Sequence, residues 1–225
     1  MSWITQWMPD LTKEQERLFI IYYDMLTEWN QRVNLTAITG REEVAKKHFL
    51  DSLLAADLIP QGALCADVGT GAGFPGIPIK IMRPDIRLTL IDSLNKRVRF
   101  LNSVAEALGI EADCAHTRAE DAGRNKAYRG QFDIVLSRAV APVNALLEYT
   151  VPLLKEGGVS LMYKGPQAGA ELEAARNALR LLNADARVIP RDAPWGERRI
   201  IAAVKTGETN ALYPRKAGMA EKKPL

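Results

Sequence analysis

The first sixty residues carry an apolar stripe at helical spacing. Its members recur three or four positions apart, which places them on one face of a helix. The stripe consists of Leu18, Ile21, Tyr22, Met25, Leu26 and Trp29. Thr12 and Gln15 have capping-box spacing and predict the start of this helix, and Thr39 with Glu42 predicts a second one. We therefore expect residues 1–60 to form a helical extension that packs on the following domain.

From about residue 62 onward, short apolar runs alternate with longer segments of helical periodicity. The runs cover residues 63–68, 88–91, 112–116, 132–137, 159–163, 186–189 and 200–204. The helical segments cover residues 77–82, 96–108, 143–154 and 168–182. Such alternation is typical of βαβ units and predicts a mainly parallel sheet covered by helices on both faces. Residues 61–205 are therefore predicted to form an α/β, Rossmann-like domain with seven strands.

A polar loop without a helical pattern joins the last two apolar runs. It contains Pro190, Pro194, Trp195 and Gly196. Parallel neighbours need a long crossover connection, usually a helix, whereas antiparallel neighbours can be joined directly. The last strand is therefore predicted to run antiparallel.

The composition excludes several classes of protein. Of the 225 residues, 47% are hydrophobic and 25% are charged, as in globular proteins that fold without disulfides or metals. Cys65 and Cys114 lie in apolar runs, so we expect reduced thiols and no metal site. No apolar stretch approaches the roughly 18 residues of a membrane span, and the first residues lack a signal-peptide pattern. We expect a cytoplasmic monomer.

The net charge of +3 resides at the end of the chain. From residue 205 onward, five basic residues face two acidic ones, whereas basic and acidic residues balance before this point. A neutral body with a basic tail, residues 206–225, indicates either a polyanionic partner or a solvated terminus. Charge alone leaves both interpretations open.

A glycine-rich loop follows the first apolar run. Gly71, Gly73 and Gly76 satisfy the G-x-G-x-x-G pattern between a predicted strand and a predicted helix. Glycines there allow positive φ angles and a close approach of the backbone to a ligand. Asp92 ends the next predicted strand, where a carboxylate accepts hydrogen bonds from ribose hydroxyls. The loop and the acid indicate an adenosyl ligand in general, including NAD.

Three details favour S-adenosylmethionine over NAD. Asp67 precedes the glycines and offers a carboxylate to the ammonium group of an amino acid, which a pyrophosphate does not need. The predicted antiparallel last strand is the second detail. The third is that neither His48 nor His116 is placed as a proton donor for hydride transfer.

Beyond the glycine loop, blocks along nearly the whole chain resemble the RsmG (GidB) family. The blocks are NLTAIT at 34–39, HFLDSL at 48–53, DVGTGAGFPGIP at 67–78, IDSLNKRVRFL at 91–101, RAED at 118–121, SRAVAP at 137–142 and YPRKAG at 213–218. This family methylates N7 of a guanosine in the decoding region of small-subunit ribosomal RNA. The resemblance implies an S-adenosylmethionine-dependent methyltransferase whose partner is 16S rRNA or the small ribosomal subunit.

The resemblance also places cofactor contacts after the first, third and fourth strands. Together with the residues derived above, the predicted cofactor site consists of Asp67, Gly69, Gly71, Gly73, Phe74, Asp92, Ala119, Glu120 and Arg138. Ligands of open α/β sheets bind at the carboxyl ends of the strands, where these positions fall. We expect Glu120, or its neighbour Asp121, to accept a hydrogen bond from the adenine amino group. Arg138 is expected to pair with the methionine carboxylate or to hold the RNA.

The acceptor chemistry needs few special groups. Guanine N7 bears a lone pair and no proton, so its methylation requires orientation and no general base, and none is assigned. Basic and aromatic residues in loops and the tail are predicted to contact RNA phosphates and bases. They are Lys96, Arg97, Lys164, Trp195, Arg198, Arg199, Arg215 and Lys216. The alternatives are an NAD(P)-dependent oxidoreductase on a similar sheet and a non-catalytic RNA-binding protein.

Overall fold

The computed structural model describes residues 2–225, whose strands form one seven-stranded sheet. The strands are β1 Leu64–Val68, β2 Arg87–Asp92, β3 Ala112–His116, β4 Phe132–Arg138, β5 Leu154–Lys164, β6 Ala184–Arg191 and β7 Arg198–Lys205. They lie in the order β3-β2-β1-β4-β5-β7-β6. Pairs among β1 to β5 are parallel, and β7 is antiparallel to both β5 and β6. The predicted sheet with an antiparallel last strand is confirmed.

Helices cover both faces of this sheet. The α-helices are α1 Lys13–Val33, α2 Arg41–Val44, α3 Asp51–Leu53, α4 Gly76–Met82, α5 Asn95–Leu108, α6 Ala119–Ala122, α7 Val143–Thr150, α8 Ala168–Ala174, α9 Arg176–Leu182 and α10 Met219–Lys222. A π-helical turn, Ala45–Leu50, joins α2 to α3, and single 3₁₀ turns cover Ala56–Leu58 and Val151–Leu153. Within residues 2–225, no helix combines the length and the apolar character that a membrane crossing needs.

Buried side chains alternate between the two faces of the central strands. Cys65 of β1 belongs to the core shared with α1, α4 and α5, whereas its neighbour Ala66 belongs to the core under α7 and α9. In β4, Leu136 and Val135 divide in the same way. Because both faces are covered, these strands appear in the sequence as continuous apolar runs.

The first predicted capping box is present, and the second prediction was wrong. The Gln15 amide donates to Thr12 Oγ1 at 3.2 Å, and the Thr12 amide donates to Gln15 Oε1 at 3.0 Å. At α2 the N-cap is Gly40, which provides no side-chain hydrogen bond, and Glu42 instead pairs with Lys46. The N-cap lies one residue later than predicted, so the reciprocal hydrogen bonds of a capping box do not form.

Two predicted helices are shorter than expected. The segment predicted over 143–154 is α-helical only to Thr150, and β5 begins at Leu154. The segment predicted over 168–182 is interrupted at the buried Ala175, where the chain passes from α8 to α9. The break keeps both pieces against the sheet, with Ala168 and Leu182 fully buried at its two ends.

Helix α1 and the C-terminal residues both pack on the sheet domain. Phe19 and Tyr22 of α1 share a core with Ile77 of α4. The last residues, 206–225, do not form a fully solvated tail, since Thr209 and Ala220 are buried. The division of the chain at residues 60 and 205 stays a prediction.

Candidate functional site

The glycine-rich loop between β1 and α4 lies at the carboxyl edge of the sheet. Its backbone is tied to β2, because the amides of Gly69 and Thr70 donate to the Ile91 carbonyl at 2.9 and 3.2 Å. Gly69 has a φ of +67°, and an added Cβ would lie 2.7 Å from Cγ2 of Val140. A side chain at Gly69 is therefore excluded by both backbone conformation and space.

Asp67 lies beneath the loop and holds it in shape. Its Oδ2 accepts hydrogen bonds from Thr70 Oγ1 at 2.6 Å and from the Gly76 amide at 2.8 Å. The side chain is fully buried, and burial raises the pKa of its carboxyl from 3.8 to about 6. Its predicted role toward the cofactor ammonium stays a prediction, because Asp67 lines neither cavity described below.

The raised pKa predicts how stability depends on pH. Because the folded state binds the Asp67 proton more tightly than the unfolded chain, its contribution is full below pH 3.8 and is lost as pH rises through 6. Between pH 5 and pH 7, the wild type is expected to lose about 1 kcal/mol more unfolding free energy than Asp67→Asn. Urea denaturation of both proteins at the two pH values measures this difference. Equal losses would contradict the assignment, and Asp113→Asn, at an exposed position of β3, is the control.

Asp92 ends β2 beside the loop and is almost fully buried. Its Oδ2 accepts from the Gly71 amide and its Oδ1 from the Leu94 amide, both at 2.9 Å. Arg97 Nη1 lies 3.3 Å from Oδ2. A carboxylate offers about four acceptor positions, so these three donors leave about one of them, on Oδ1, for the ribose.

Two cavities adjoin along the carboxyl edge, and Gly69 lines both. The Asp92 cavity, of about 200 Å³, is lined among others by Asp92, Thr117, Ala119, Glu120, Tyr149, Gly218 and Glu221. The Arg138 cavity, of about 550 Å³, is lined among others by Lys47, His48, Asp51, Gly71, Phe74, Arg97, Arg138, Lys164 and Arg198. All the predicted cofactor residues except Asp67 and Gly73 thus line one of these two cavities.

A buried carboxylate organises the wall of the Arg138 cavity. Asp51 Oδ2 accepts from Arg138 Nη1 at 2.9 Å. Its Oδ1 accepts from Trp195 Nε1 at 3.0 Å and from Arg198 Nε at 2.6 Å. We call these four residues the Asp51 cluster. It joins the N-terminal extension, the end of β4 and the loop between β6 and β7.

His48 lies beside the Asp51 cluster and is held as a neutral ring. It stacks on Phe74 with ring centroids 4.4 Å apart, and its Nε2 lies 2.8 Å from Thr36 Oγ1. Burial, followed by the nearby Arg138 charge, lowers the pKa of His48 to about 4. His48 belongs to the π-helical turn Ala45–Leu50, a local geometry often found at functional sites.

The predicted RNA contacts divide into two groups. Arg97, Lys164 and Arg198 line the Arg138 cavity, where each pairs with a carboxylate. Lys164 also donates to the Ala141 carbonyl at 2.8 Å, which ties the loop after β4 to β5. The others line neither cavity. These are Lys96 and Lys216, both exposed, Arg199, which pairs with Glu197, Trp195 of the Asp51 cluster and Arg215, which pairs with Glu148.

Several residues that line the site were not predicted from the sequence, among them His48, Asp51 and Gly218. His48 and Asp51 line the Arg138 cavity, and Gly218 lines the Asp92 cavity. The available signal was the spacing of His48 and Asp51, three positions apart, which places both on one helix face. No local sequence pattern indicates that Gly218 lies at the carboxyl edge of the sheet.

Comparison with known proteins agrees with this geometry. A family model described as rRNA small subunit methyltransferase G matches residues 15–199. A Ribosomal RNA small subunit methyltransferase G from Desulforamulus reducens is 48% identical over 222 residues, covering 96% of this chain and 92% of that protein. A protein of the same name from Streptococcus pyogenes is 48% identical over 223 residues, covering 96% and 93%.

Solved structures of methyltransferases share the fold. A putative O-methyltransferase from Klebsiella pneumoniae has a TM-score of 0.59 at 15% identity, covering 83% of this chain and 90% of that chain. A methyltransferase from Pyrococcus furiosus has a TM-score of 0.58 at 13% identity, covering 87% and 100%. The structures show the fold alone, whereas the sequence matches extend over most of the chain and confirm the resemblance seen in its motifs. The chain therefore belongs to the ribosomal RNA small subunit methyltransferase G family.

Proposed function

We propose that the chain transfers the methyl group of S-adenosylmethionine to N7 of a guanosine in the decoding region of 16S ribosomal RNA. The observation that carries this proposal is the junction of the two cavities at Gly69. One cavity presents carboxylates suited to an adenosyl group, and the other is cationic and large enough for a base. A methyl group held at the junction would face both.

The residues of the Asp92 cavity fit an adenosyl cofactor. Asp92 would hold the ribose, because it lines the cavity and its carboxylate is fixed in position by two backbone amides. Glu120 would accept from the adenine amino group, while Gly69 lets the backbone approach the ligand closely. The predicted role of Ala119 is a backbone contact beside the ring.

The reaction that we propose depends on orientation. S-adenosylmethionine supplies an activated methyl group on a positively charged sulfur. Guanine N7 approaches in line to about 3 Å, and the site must exclude water during transfer. His48 is neutral near pH 7 and is fixed by Phe74 and Thr36, so it adds no charge beside a base that becomes cationic. The chain's contribution is to position the base and the cofactor.

The charge of the Arg138 cavity suits a polyanion. Five cationic side chains line it, and one carboxylate, that of Asp51, is among its lining residues. The cations are Lys47, Arg97, Arg138, Lys164 and Arg198. Each cation also pairs with a carboxylate, which belongs to Glu43, Asp51, Asp92 or Glu171. Phosphate groups of RNA would bind here, since such contacts position a nucleic acid without reading its sequence. In this proposal Trp195 stacks on a base, and Lys96, Arg199 and Lys216 extend the basic surface.

Methyl transfer to isolated substrates tests the proposal. Purified protein with radiolabelled S-adenosylmethionine is offered either small ribosomal subunits or protein-free 16S rRNA, both unmethylated at the target. We expect label in RNA from at least one substrate, and chain cleavage specific for 7-methylguanosine at one position in the decoding region. The comparison of the two substrates also decides whether free RNA or the assembled subunit is used.

Other outcomes would refute defined parts of the proposal. Label on protein, with both RNAs unmodified, would exclude RNA as the acceptor. Label in RNA without cleavage at 7-methylguanosine would exclude N7. Thermal stabilisation by NADPH, without stabilisation by S-adenosylhomocysteine, would favour the oxidoreductase, an alternative that family membership does not support. We further propose that the protein acts in the cytoplasm and that it is a monomer. Light scattering, which gives the molar mass in solution, tests the oligomeric state.

A further inference from the structure

The C-terminal segment, residues 206–225, is anchored to the sheet domain by three arginines, of which Arg129 and Arg215 are partly buried and Arg124 is exposed. Arg129 donates to the carbonyls of Thr209 and Tyr213, at 2.7 Å each. Arg124 donates through Nε to the Pro214 carbonyl at 2.8 Å. These bonds are made to backbone atoms, so they fix the path of the segment rather than one side chain.

Arg215 provides the strongest of the anchors. Its Nη2 lies 2.6 Å from Glu148 Oε2, its Nε lies 2.9 Å from Oε1, and its backbone amide donates to Oε1 at 2.6 Å. The Glu148 side chain is only 1% exposed. Bidentate pairs of this kind are strong and directional. The Arg215 charge is therefore used within the molecule, although the sequence analysis predicted an RNA contact.

Beyond this anchor the segment reaches the Asp92 cavity. The Gly218 amide donates to Glu120 Oε1 at 2.8 Å, and Tyr149 Oη donates to Glu221 Oε1 at 3.2 Å. Gly218 and Glu221 both line the cavity, as Asp92 does. The φ of +76° at Gly218 turns the chain so that its amide faces the carboxylate. Glu120 is thus held from outside by a residue 98 positions later.

We infer that the C-terminal segment belongs to the cofactor site and forms the outer wall of the pocket for the adenosyl group. This inference rests on the proposed function, which places an adenosyl cofactor in the Asp92 cavity. With Oε1 of Glu120 bound to the Gly218 amide, the carboxylate is oriented and its Oε2 is left for the adenine amino group. Releasing the segment would expose Glu120 to solvent and remove two residues from the cavity wall.

Breaking the Arg215 anchor tests the inference without changing the cavity. Arg215→Met removes the charge and the side-chain hydrogen bonds at a residue that lines neither cavity. We expect the Kd for S-adenosylhomocysteine, measured by calorimetry, to rise about tenfold, as for loss of one buried charged hydrogen bond. Lys223→Ala, which removes an exposed charge in the same segment, should leave this Kd unchanged.

The outcomes separate this inference from the proposed function. If the wild type does not bind S-adenosylhomocysteine, the proposed function fails and the inference fails with it. If the wild type binds and Arg215→Met binds equally well, only the inference is overturned. A loss of RNA affinity in Arg215→Met with unchanged cofactor affinity would also overturn it, in favour of the RNA contact.

Hydrogen exchange of the wild type provides a second measurement that does not depend on a variant folding. Saturation with S-adenosylhomocysteine should slow amide exchange in peptides covering residues 214–222 by about tenfold or more, since a bound ligand stabilises the wall against opening. Unchanged exchange in these peptides, together with slower exchange in the glycine-rich loop, would show that the cofactor binds without the segment and would overturn the inference.

Discussion

Replacing Asp92 with alanine is expected to weaken S-adenosylhomocysteine binding about 100-fold, because hydrogen bonds to a charged group contribute about 1.5–3 kcal/mol each. Two effects combine in this variant. The acceptor for the ribose hydroxyls is lost, and the Gly71 amide loses the carboxylate that holds it 2.9 Å away. The loop is then less well organised for a ligand, so part of the loss reflects ordering of the loop during binding.

Calorimetric titration of S-adenosylhomocysteine into both proteins measures this effect. Asp113→Ala provides the matched control, because Asp113 is an exposed carboxylate on the neighbouring strand β3 and lines neither cavity. If the Kd of Asp92→Ala lies within about threefold of the wild-type Kd, the binding free energy differs by less than about 1 kcal/mol, and the ribose contact is refuted. Circular dichroism of the variant verifies that it is folded before the titration.

Replacing Asp51 with alanine is expected to lower the unfolding free energy by about 3 kcal/mol, since it leaves two partly buried cations, 13% and 30% exposed, without their partner. Arg138 and Arg198 would lose their shared carboxylate, and Trp195 would lose its acceptor. We also expect kcat/KM for the RNA substrate to fall about 100-fold, because small displacements of positioning groups have effects of this size. Cofactor affinity should change much less, since Asp51 lies outside the Asp92 cavity.

The control for this experiment is an ion pair in the same part of the molecule. Asp57 pairs with Arg191 at 2.9 Å, but its side chain is 61% exposed. Asp57→Ala should therefore lower the unfolding free energy by less than about 1 kcal/mol and leave kcat/KM unchanged. If Asp51→Ala behaves like Asp57→Ala in urea denaturation and in methyl transfer, the Asp51 cluster does not organise the acceptor site. Asp51→Asn, which keeps an acceptor oxygen, should have an intermediate effect.

Most of the sheet could be predicted because its signals are local. Each central strand is buried on both faces, so it appears as an apolar run that needs no knowledge of its neighbours. The order of runs and helices then limits the topology, and the loop before Arg198 indicates an antiparallel strand. Errors arose where local signals were ambiguous, as at Thr39, where Gly40 rather than the threonine precedes the helix.

The residues of the candidate site also differ in how far local sequence signals predict them. Gly69, Gly71 and Asp92 were predictable because the loop and the acid lie within one βαβ unit, about twenty residues apart, and contact each other directly. The roles of the basic residues were less predictable. Their charges are visible in the sequence, but the partners that already hold Arg198 and Arg215 are not.

The sequence by itself therefore determined the strands, most helices, the glycine-rich loop, its acidic partner and the family. Each of these depends on periodicity or on residues that are close along the chain. Only the tertiary structure decided that Asp51 joins Arg138 and Trp195, 87 and 144 positions away, and that Gly218 reaches Glu120. The physical reason is that such pairs form when folding brings distant segments together, and no local pattern of polar and apolar residues specifies which charges will meet.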